Sequence, residues 1–297
     1  MKTKLISIII NCYNGEKYLR ETLNSVKSQT FKNFEVIFFD NCSTDHSAKI
    51  FKSFKDKRFK YFKTPKKINL YKSRNLALKK CKGDFITFLD ADDWWKNNFL
   101  MSRKKFFKSS KIYGFSFSNC FHYYEKKKIF KKFLKVELPS GYIIDKLLEF
   151  YFVKLSTIII KKELIKKFKF NSSYNIIGDF DLIIQIAGKY KGMAFQDFLV
   201  NIRIHDNNFT HKNRKMFYKE FKNWLKNQNF KNLSFRKNKK KLFDKLEYLR
   251  LIYLLIHKKS FSLIFDIFKF SFSVHKFKLL LIYFLPNFLI QFKLKYF

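Results

Sequence analysis

Carboxylates are scarce in this chain. Only 23 Asp and Glu stand against 63 Lys and Arg in 297 residues, a formal net charge of +40. Such a balance ordinarily points to nucleic acid or an anionic membrane. Arginine is scarce too: eight of the 63 basic residues are Arg and 55 are Lys, in a chain equally heavy in Phe, Ile and Asn. AT-rich codons encode all four of the abundant types, so genome composition explains the charge as well as a partner does. Cysteine is limited to Cys12, Cys42, Cys81 and Cys120, with no Cys-x-x-Cys spacing. That suggests neither a zinc site nor a dense disulfide framework and leaves reduced thiols as the default. Long uncharged apolar runs are also missing. Leu279-Phe292 is 14 residues and contains Pro286, short of the ~18 to 20 residues that span a bilayer. Met1-Lys2-Thr3-Lys4 before Leu5-Ile10 has the outline of a signal peptide. The run is short and Asn11-Cys12-Tyr13-Asn14-Gly15 offers no small-residue cleavage site, so it reads as a first strand.

Against that background, three of the few acids stand together. Asp90, Asp92 and Asp93 end the apolar run Phe85-Ile86-Thr87-Phe88-Leu89 and precede Trp94-Trp95. Mg²⁺ and Mn²⁺ are hard ions that take one or two protein carboxylates and complete their shell with phosphate oxygens. Residues i and i+2 of a strand point the same way, so Asp90 and Asp92 can converge while Asp93 points elsewhere. The plainer reading is that Asp92 or Asp93 caps a helix over Trp94 to Phe107.

The first hundred residues alternate strand and helix periods. Leu5-Ile10 is an apolar strand ending at Asn14-Gly15, and Glu16-Thr30 carries Leu19, Leu23 and Val26 at helical spacing. Phe34-Phe39 is a second strand. Ser43-Thr44-Asp45 opens a helix through Ala48, Ile50, Phe51 and Phe54. Phe59-Phe62 predicts a short strand, Ser73-Cys81 a helix and Phe85-Leu89 a strand. Repeated βα units imply an α/β protein with a parallel sheet covered on both faces. Ligands of such sheets gather beyond the strands' carboxyl ends, where Asn11, Asp40 and Asp90 fall.

Five motifs in order carry a resemblance. They are Ser7-Ile8-Ile9-Ile10-Asn11-Cys12-Tyr13-Asn14-Gly15, Phe39-Asp40-Asn41-Cys42-Ser43-Thr44-Asp45, Ser73-Arg74-Asn75-Leu76-Ala77, Lys82-Gly83-Asp84 and Asp90-Ala91-Asp92-Asp93. Together they resemble the family-2 glycosyltransferases. The resemblance implies the GT-A fold, a Rossmann-like mixed sheet flanked by helices. It also implies a nucleotide-diphosphate sugar donor (UDP, dTDP or GDP type), Mn²⁺ or Mg²⁺, and inversion at the anomeric carbon. It assigns Asn11 and Tyr13 to the nucleotide base, Asp40 to base or ribose, Arg74 to a further nucleotide contact, Asp90 to the ribose and Asp92 to the metal. Asp40 and Arg74 equally suit a turn-former and a surface helix residue. Asn41 departs from the second Asp of many relatives.

The second half must supply a base and the acceptor site. Leu155-Lys161 predicts a strand and Lys162 to about Phe168 a helix. Ile177-Gly178-Asp179-Phe180-Asp181-Leu182 then resembles the family's Glu-Asp motif, with Gly178 in place of Glu. An inverting transfer needs a carboxylate to take the acceptor proton, and the resemblance implies Asp179, with Asp181 as second choice. Helix capping is the alternative role for both. Arg203-Ile204-His205 resembles the Arg-x-His that closes the catalytic domain and implies His205 as a further metal or diphosphate ligand; a lone His is also an ordinary surface or core residue. Gln185-Ile186-Ala187-Gly188-Lys189 does not match the Gln-x-x-Arg-Trp of processive synthases, which predicts transfer of a single sugar.

The expected organisation is a catalytic domain over 1–210, with a nucleotide-sugar half over 1–110 and an acceptor half over 111–210, followed by a helical extension over 211–297. The extension alternates Lys with Phe, Leu, Ile and Tyr and holds four acids, Glu220, Asp244, Glu247 and Asp266. Leu249-Ile256, Phe261-Phe272 and Leu279-Phe292 suit basic amphipathic helices on an anionic membrane surface, or helices packed on the catalytic domain or a dimer partner. The expected setting is cytoplasmic, peripheral to the inner membrane face. The expected partners are the sugar donor and a glycan or lipid-linked acceptor of surface-glycan synthesis, with no nucleic acid. Two rivals are a nucleotidyltransferase on the same aspartates and a non-catalytic basic binding protein.

Overall fold

In the computed structural model, which describes residues 4–270 and 274–285, the apolar runs become strands buried on both faces. β1 (Ile6–Cys12) and β2 (Phe34–Asp40) are buried along almost their whole length, as a sheet with helices on both sides requires. The other strands are β3 (Phe59–Lys63), β4 (Phe85–Phe88), β5 (Trp94–Trp95), β6 (Tyr113–Ser118), β7 (Phe121–Tyr124), β8 (Ile129–Lys132), β9 (Ile159–Lys161), β10 (Lys191–Phe195) and β11 (Val200–Ile204). Seven form one sheet in the order β10-β6-β9-β4-β1-β2-β3, and four form a second in the order β5-β11-β7-β8. β9 runs antiparallel to both β4 and β6 while the remaining pairs of the large sheet are parallel. The mixed α/β sheet implied by the resemblance is therefore present.

Helices α1 (Glu16–Lys27), α2 (Ser47–Lys52) and α3 (Leu70–Leu78) follow the first three strands. Leu19, Leu23 and Val26 bury one stripe of α1 against a core containing Ile8, Val36 and Phe38. α3 starts three residues earlier than its period predicts, because the Asn69 side chain accepts from the Tyr71 and Lys72 amides and caps it. Trp94 to Phe107 is not one helix. Trp94 and Trp95 pair with β11, and two short helices follow, α4 (Phe99–Ser102) and α5 (Lys104–Lys108). Further on lie α6 (Ile144–Glu149), α7 (Lys162–Lys167) and α8 (Gly178–Ala187). Only Ile159–Lys161 of the expected Leu155-Lys161 strand is strand. Leu155–Thr157 forms a 3-10 turn whose Ser156 carbonyl accepts from the Trp95 indole at 2.8 Å.

Contacts divide the chain into Met1–Leu147 with Tyr151–His205, and Leu148–Phe150 with Asp206–Phe297. The second unit is helical: α9 (Phe209–Lys212), α10 (Arg214–Lys226), α11 (Leu233–Lys237), α12 (Lys239–His257), α13 (Leu263–Lys269) and α14 (Val274–Phe284). Leu251, Leu255, Ile267 and Leu279 form a core of their own there. Leu249-Ile256 lies within α12, whereas the ends of Phe261-Phe272 and Leu279-Phe292 fall outside the described residues. Among the described residues no helix is long and apolar enough to cross a membrane.

Candidate active site

Strand order assembles the site. β4, β1 and β2 are neighbours, and their carboxyl ends bring Asp90, Asn11 and Asp40 along one edge of the sheet. The loop after β1 turns at Asn14, which has a φ of 51°, a left-handed conformation that Asn tolerates. Its side-chain oxygen accepts from the Thr44 amide at 2.9 Å, and its own amide donates to Ser43 Oγ at 3.1 Å. The loops after β1 and β2 therefore hold each other. Asn11 donates from Nδ2 to Ser73 Oγ of α3 at 2.8 Å, while its Oδ1 is buried with no partner. Tyr13 is exposed, with Lys67 Nζ 3.8 Å above its ring.

Asp40 is fully buried. Its Oδ1 accepts from the Ser43 amide at 2.7 Å and its Oδ2 from the Tyr61 hydroxyl at 2.6 Å. That makes it the pin of the loop after β2, with each of its oxygens already accepting one hydrogen bond. Asn41 is an amide clamp: Nδ2 donates to the Ile68 carbonyl at 2.7 Å and Oδ1 accepts from the Ile68 amide at 3.0 Å. A carboxylate has no donor for that carbonyl.

The aspartate turn is held from three sides. Thr22 Oγ1 of α1 lies 3.0 Å from the Ala91 carbonyl and 2.8 Å from the Asp93 carbonyl. Arg74 Nη2 donates to Asp90 Oδ1 at 2.7 Å. Asp90 is nearly half exposed; the protein packed around the rest of its carboxyl pushes its pKa up, and the Arg74 charge opposes the shift. Asp93 points inward, as the alternation predicts. It accepts from Ser156 Oγ at 2.7 Å and from the Arg203 amide at 3.0 Å. Burial, then the charges of Asp92 and Asp90, hold its carboxyl well above the usual range. Asp92 stays partly open, with its Oδ2 2.9 Å from Nε2 of the buried His205. Tyr18 tilts against the His205 ring at 5.0 Å. Arg203 donates from Nε to the Asp92 carbonyl at 3.0 Å, pairs with Glu21 and stacks over Tyr18 at 4.5 Å and Trp94 at 4.6 Å.

Asp179 stands in the first turn of α8. Tyr71 of α3 donates its hydroxyl to the Ile176 carbonyl at 2.7 Å and approaches Asp179 Oδ1 at 3.3 Å. A Cβ at Gly178 would lie 2.6 Å from the Tyr71 ring. Tyr71 thus fills the space that a side chain at position 178 would need. Asp181 is buried and accepts from Gln185 of its own helix at 2.9 Å, which leaves Asp179 the more open of the two.

Two contributors were not visible in the sequence, and a third was seen only in part. Ser156 and Tyr71 carry no signal in a single sequence. Arg203 entered it only as part of the Arg-x-His pattern, although its type, one of eight arginines, was itself a signal.

A mixed sheet with loops, carboxylates and an imidazole gathered at its carboxyl edge defines a nucleotide-sugar transferase fold. Residues 7–185 match the pattern of Glycosyl transferase family 2, and the chain belongs to that family. Similar proteins include the UDP-Glc:alpha-D-GlcNAc-diphosphoundecaprenol beta-1,3-glucosyltransferase WfaP of Escherichia coli. It is 33% identical over 167 residues, 56% of this chain and 64% of that protein. Among solved structures, Staphylococcus aureus TarS 1-349 in complex with UDP-GlcNAc has a TM-score of 0.61 at 18% identity, covering 88% of this chain and 86% of that one. The mannosyltransferase PcManGT from Pyrobaculum calidifontis, in complex with GDP-Man and Mn²⁺, has a TM-score of 0.61 at 16% identity, covering 93% and 78%.

Proposed function

We propose that the chain moves one sugar from a nucleotide-diphosphate sugar to an acceptor hydroxyl, with inversion, in surface-glycan synthesis. The observation that carries this reading is the convergence of Asp90, paired with Arg74, and Asp92, beside His205, with Asn11 on the adjacent strand end. Asn11, Tyr13 and Arg74 are the groups proposed to receive the nucleoside; Asp90 faces the ribose, and Asp40 shapes the base pocket through its loop.

A divalent cation fits the residues present. Asp92 offers a partly exposed oxygen and His205 a nitrogen 2.9 Å from it. Among the described residues no larger cluster of His, Cys, Asp and Glu gathers. One or two protein ligands completed by phosphate oxygens is the pattern Mg²⁺ and Mn²⁺ use. Bound there, the ion would neutralise the donor diphosphate and the charge that grows on the departing nucleoside diphosphate. Asp179 takes the proton from the acceptor hydroxyl as its oxygen bonds to the sugar's C1. The C1–O bond to phosphate breaks on the opposite face, and no covalent enzyme intermediate forms.

The acceptor is proposed to be a lipid-linked glycan of the kind WfaP's name describes, and the site of action an anionic membrane surface. Phe261, Phe265, Phe268, Phe277, Leu281 and Phe284 are exposed on and beside α13 and α14, among lysines suited to anionic lipid. Sedimentation with anionic vesicles, weakened in a Phe265→Ser/Phe268→Ser variant, is expected; equal binding of both proteins removes the membrane part.

The test of the whole is a thermal-shift panel of UDP, GDP, dTDP and CMP with and without Mn²⁺, on wild type and Asp92→Asn. Ligand that binds only the folded state raises stability by mass action. A Mn²⁺-dependent shift with one nucleoside diphosphate, lost in the variant, is expected. No shift in folded protein refutes the donor site.

A further inference from the structure

A cavity of about 390 Å³ lies between α3 and α7, over the amino-terminal part of β4. Helical spacing builds its two sides: Asn75, Leu78 and Lys79 come from α3 and its end, and Lys162, Ile165 and Lys166 from α7, each set at i, i+3 and i+4. Ile86 of β4, Cys81 and Lys169 complete the lining. Ile86, Cys81 and Ile165 are buried and Leu78 is half-buried, whereas Lys79, Lys166 and Lys169 are exposed. Asp90 and the other proposed donor contacts stand beyond the opposite, carboxyl end of β4, and none of them lines this cavity.

The two sides are pinned to one framework. Asn75 donates from Nδ2 to the Phe170 carbonyl at 2.8 Å and accepts at Oδ1 from the Phe170 amide at 3.2 Å, which ties α3 to the chain after α7. The Lys162 amide donates to the Asp84 carbonyl at 2.9 Å, which ties the start of α7 to the entry of β4. A cavity held in this way is formed before any ligand arrives, and its volume lies within the range of small-molecule sites.

Its chemistry has two parts. Four of its nine lining residues are lysine, against 55 in the 297 of the chain, so the basic rim exceeds the background. Among the described residues no carboxylate lines the cavity or lies within ion-pair distance of those four lysines; Glu163 of α7 pairs with Lys161 instead, at 2.6 Å. The walls between the lysines are aliphatic. No aromatic ring is present for a nucleobase to stack on, and a bare inorganic anion would leave Leu78, Ile86 and Ile165 against water. An aliphatic chain ending in an anion satisfies both parts, and four ammonium groups favour a dianion over a single charge.

We infer that this cavity binds a single aliphatic chain with a phosphate head, the chain against Leu78, Ile86 and Ile165 and the phosphate among the lysines. It is a second site, and it does not rest on the reading of the aspartate turn.

Titration calorimetry of the whole chain with decyl phosphate, below its micelle concentration, tests this. Inorganic phosphate, decanoate and decyl glucoside separate the head from the chain. A methylene taken out of water is worth about fourfold in affinity, so decyl phosphate is expected to bind about a hundredfold or more above inorganic phosphate. It should exceed uncharged decyl glucoside by about tenfold and singly charged decanoate by about threefold. Lys166→Glu/Lys169→Glu, at two exposed positions, should lower its affinity by about tenfold or more. Leu78→Trp, which fills the cavity, should abolish binding, and the charge-reversed variant reads the site even where the tryptophan unfolds the chain. The Phe265→Ser/Phe268→Ser variant and added UDP should leave binding unchanged. Equal affinity of wild type and Lys166→Glu/Lys169→Glu, or of decyl phosphate and inorganic phosphate, overturns the inference. Loss of binding in Phe265→Ser/Phe268→Ser overturns it too, by moving the probe to the second unit, and decanoate binding as tightly as decyl phosphate removes the phosphate head.

Discussion

Substituting Gly178 by alanine tests the packing of Tyr71 against the start of α8. In an open helical position Gly→Ala stabilises by about 0.4–1 kcal/mol, because the unfolded chain loses freedom. Here the added Cβ would stand 2.6, 2.6 and 2.7 Å from three carbons of the Tyr71 ring. Tyr71 cannot yield easily: it is buried, stacked on Phe170 at 5.4 Å and anchored by its hydroxyl to the Ile176 carbonyl. Forcing one methyl into a full core costs about 1–3 kcal/mol. The sign therefore reverses, and Gly178→Ala should lower Tm by roughly 2–4 °C per kcal/mol for a unit of this size. Thermal denaturation followed by circular dichroism reads the change. Tyr71→Ala opens the space, so Gly178→Ala added to it should be neutral or stabilising, a coupling of about 1 kcal/mol or more. A higher Tm for Gly178→Ala alone, or additive effects in the double variant, refutes the steric account.

Thr22→Val keeps the shape of a buried residue but removes the one hydroxyl proton shared between the Ala91 and Asp93 carbonyls. It should cost about 1–3 kcal/mol and weaken nucleoside diphosphate binding in calorimetry; unchanged stability and affinity would mean that α1 does not hold the aspartate turn. Burial pushes the Cys12 thiol up to about 11 and those of Cys81 and Cys120 up to about 12. A thiol raised on folding keeps its proton while the unfolded chain loses it, so urea stability should be level below about pH 8.5 and fall progressively towards pH 11. Stability that holds or rises across that window contradicts the burial of these thiols. In a thiol-labelling experiment at pH 8, Cys42, the one cysteine not buried, should react first, with the other three following only on unfolding.

Much of the catalytic unit was legible because its signals are local. An apolar run such as Leu5-Ile10 has one stable use in a βα alternation, and the ends of β1, β2 and β4 follow from such runs. Asp90 and Asp92 stood out because acids are rare in this chain. What escaped is non-local. The 3-10 turn at Leu155–Thr157 exists because Trp95 and Asp93, some 60 positions earlier, claim the Ser156 carbonyl and hydroxyl, and strand propensity contains no trace of that demand. The helix expected over Trp94 to Phe107 yields at its start to pairing with β11, a contact with residues more than 100 positions away. Gly178 looked like a lost residue until Tyr71 was seen in the space beside it.

The central claim is that this cleft transfers a glycosyl group with Asp179 as base. Its most direct test is to incubate the protein with Mn²⁺, the nucleotide sugar whose nucleoside diphosphate it binds and a lipid-linked acceptor, and to follow the phosphorus products for wild type and Asp179→Asn. The account predicts nucleoside diphosphate release by wild type and a loss of about a hundredfold or more in the variant, with nucleotide binding retained. Release of pyrophosphate, or undiminished turnover by Asp179→Asn, would contradict it.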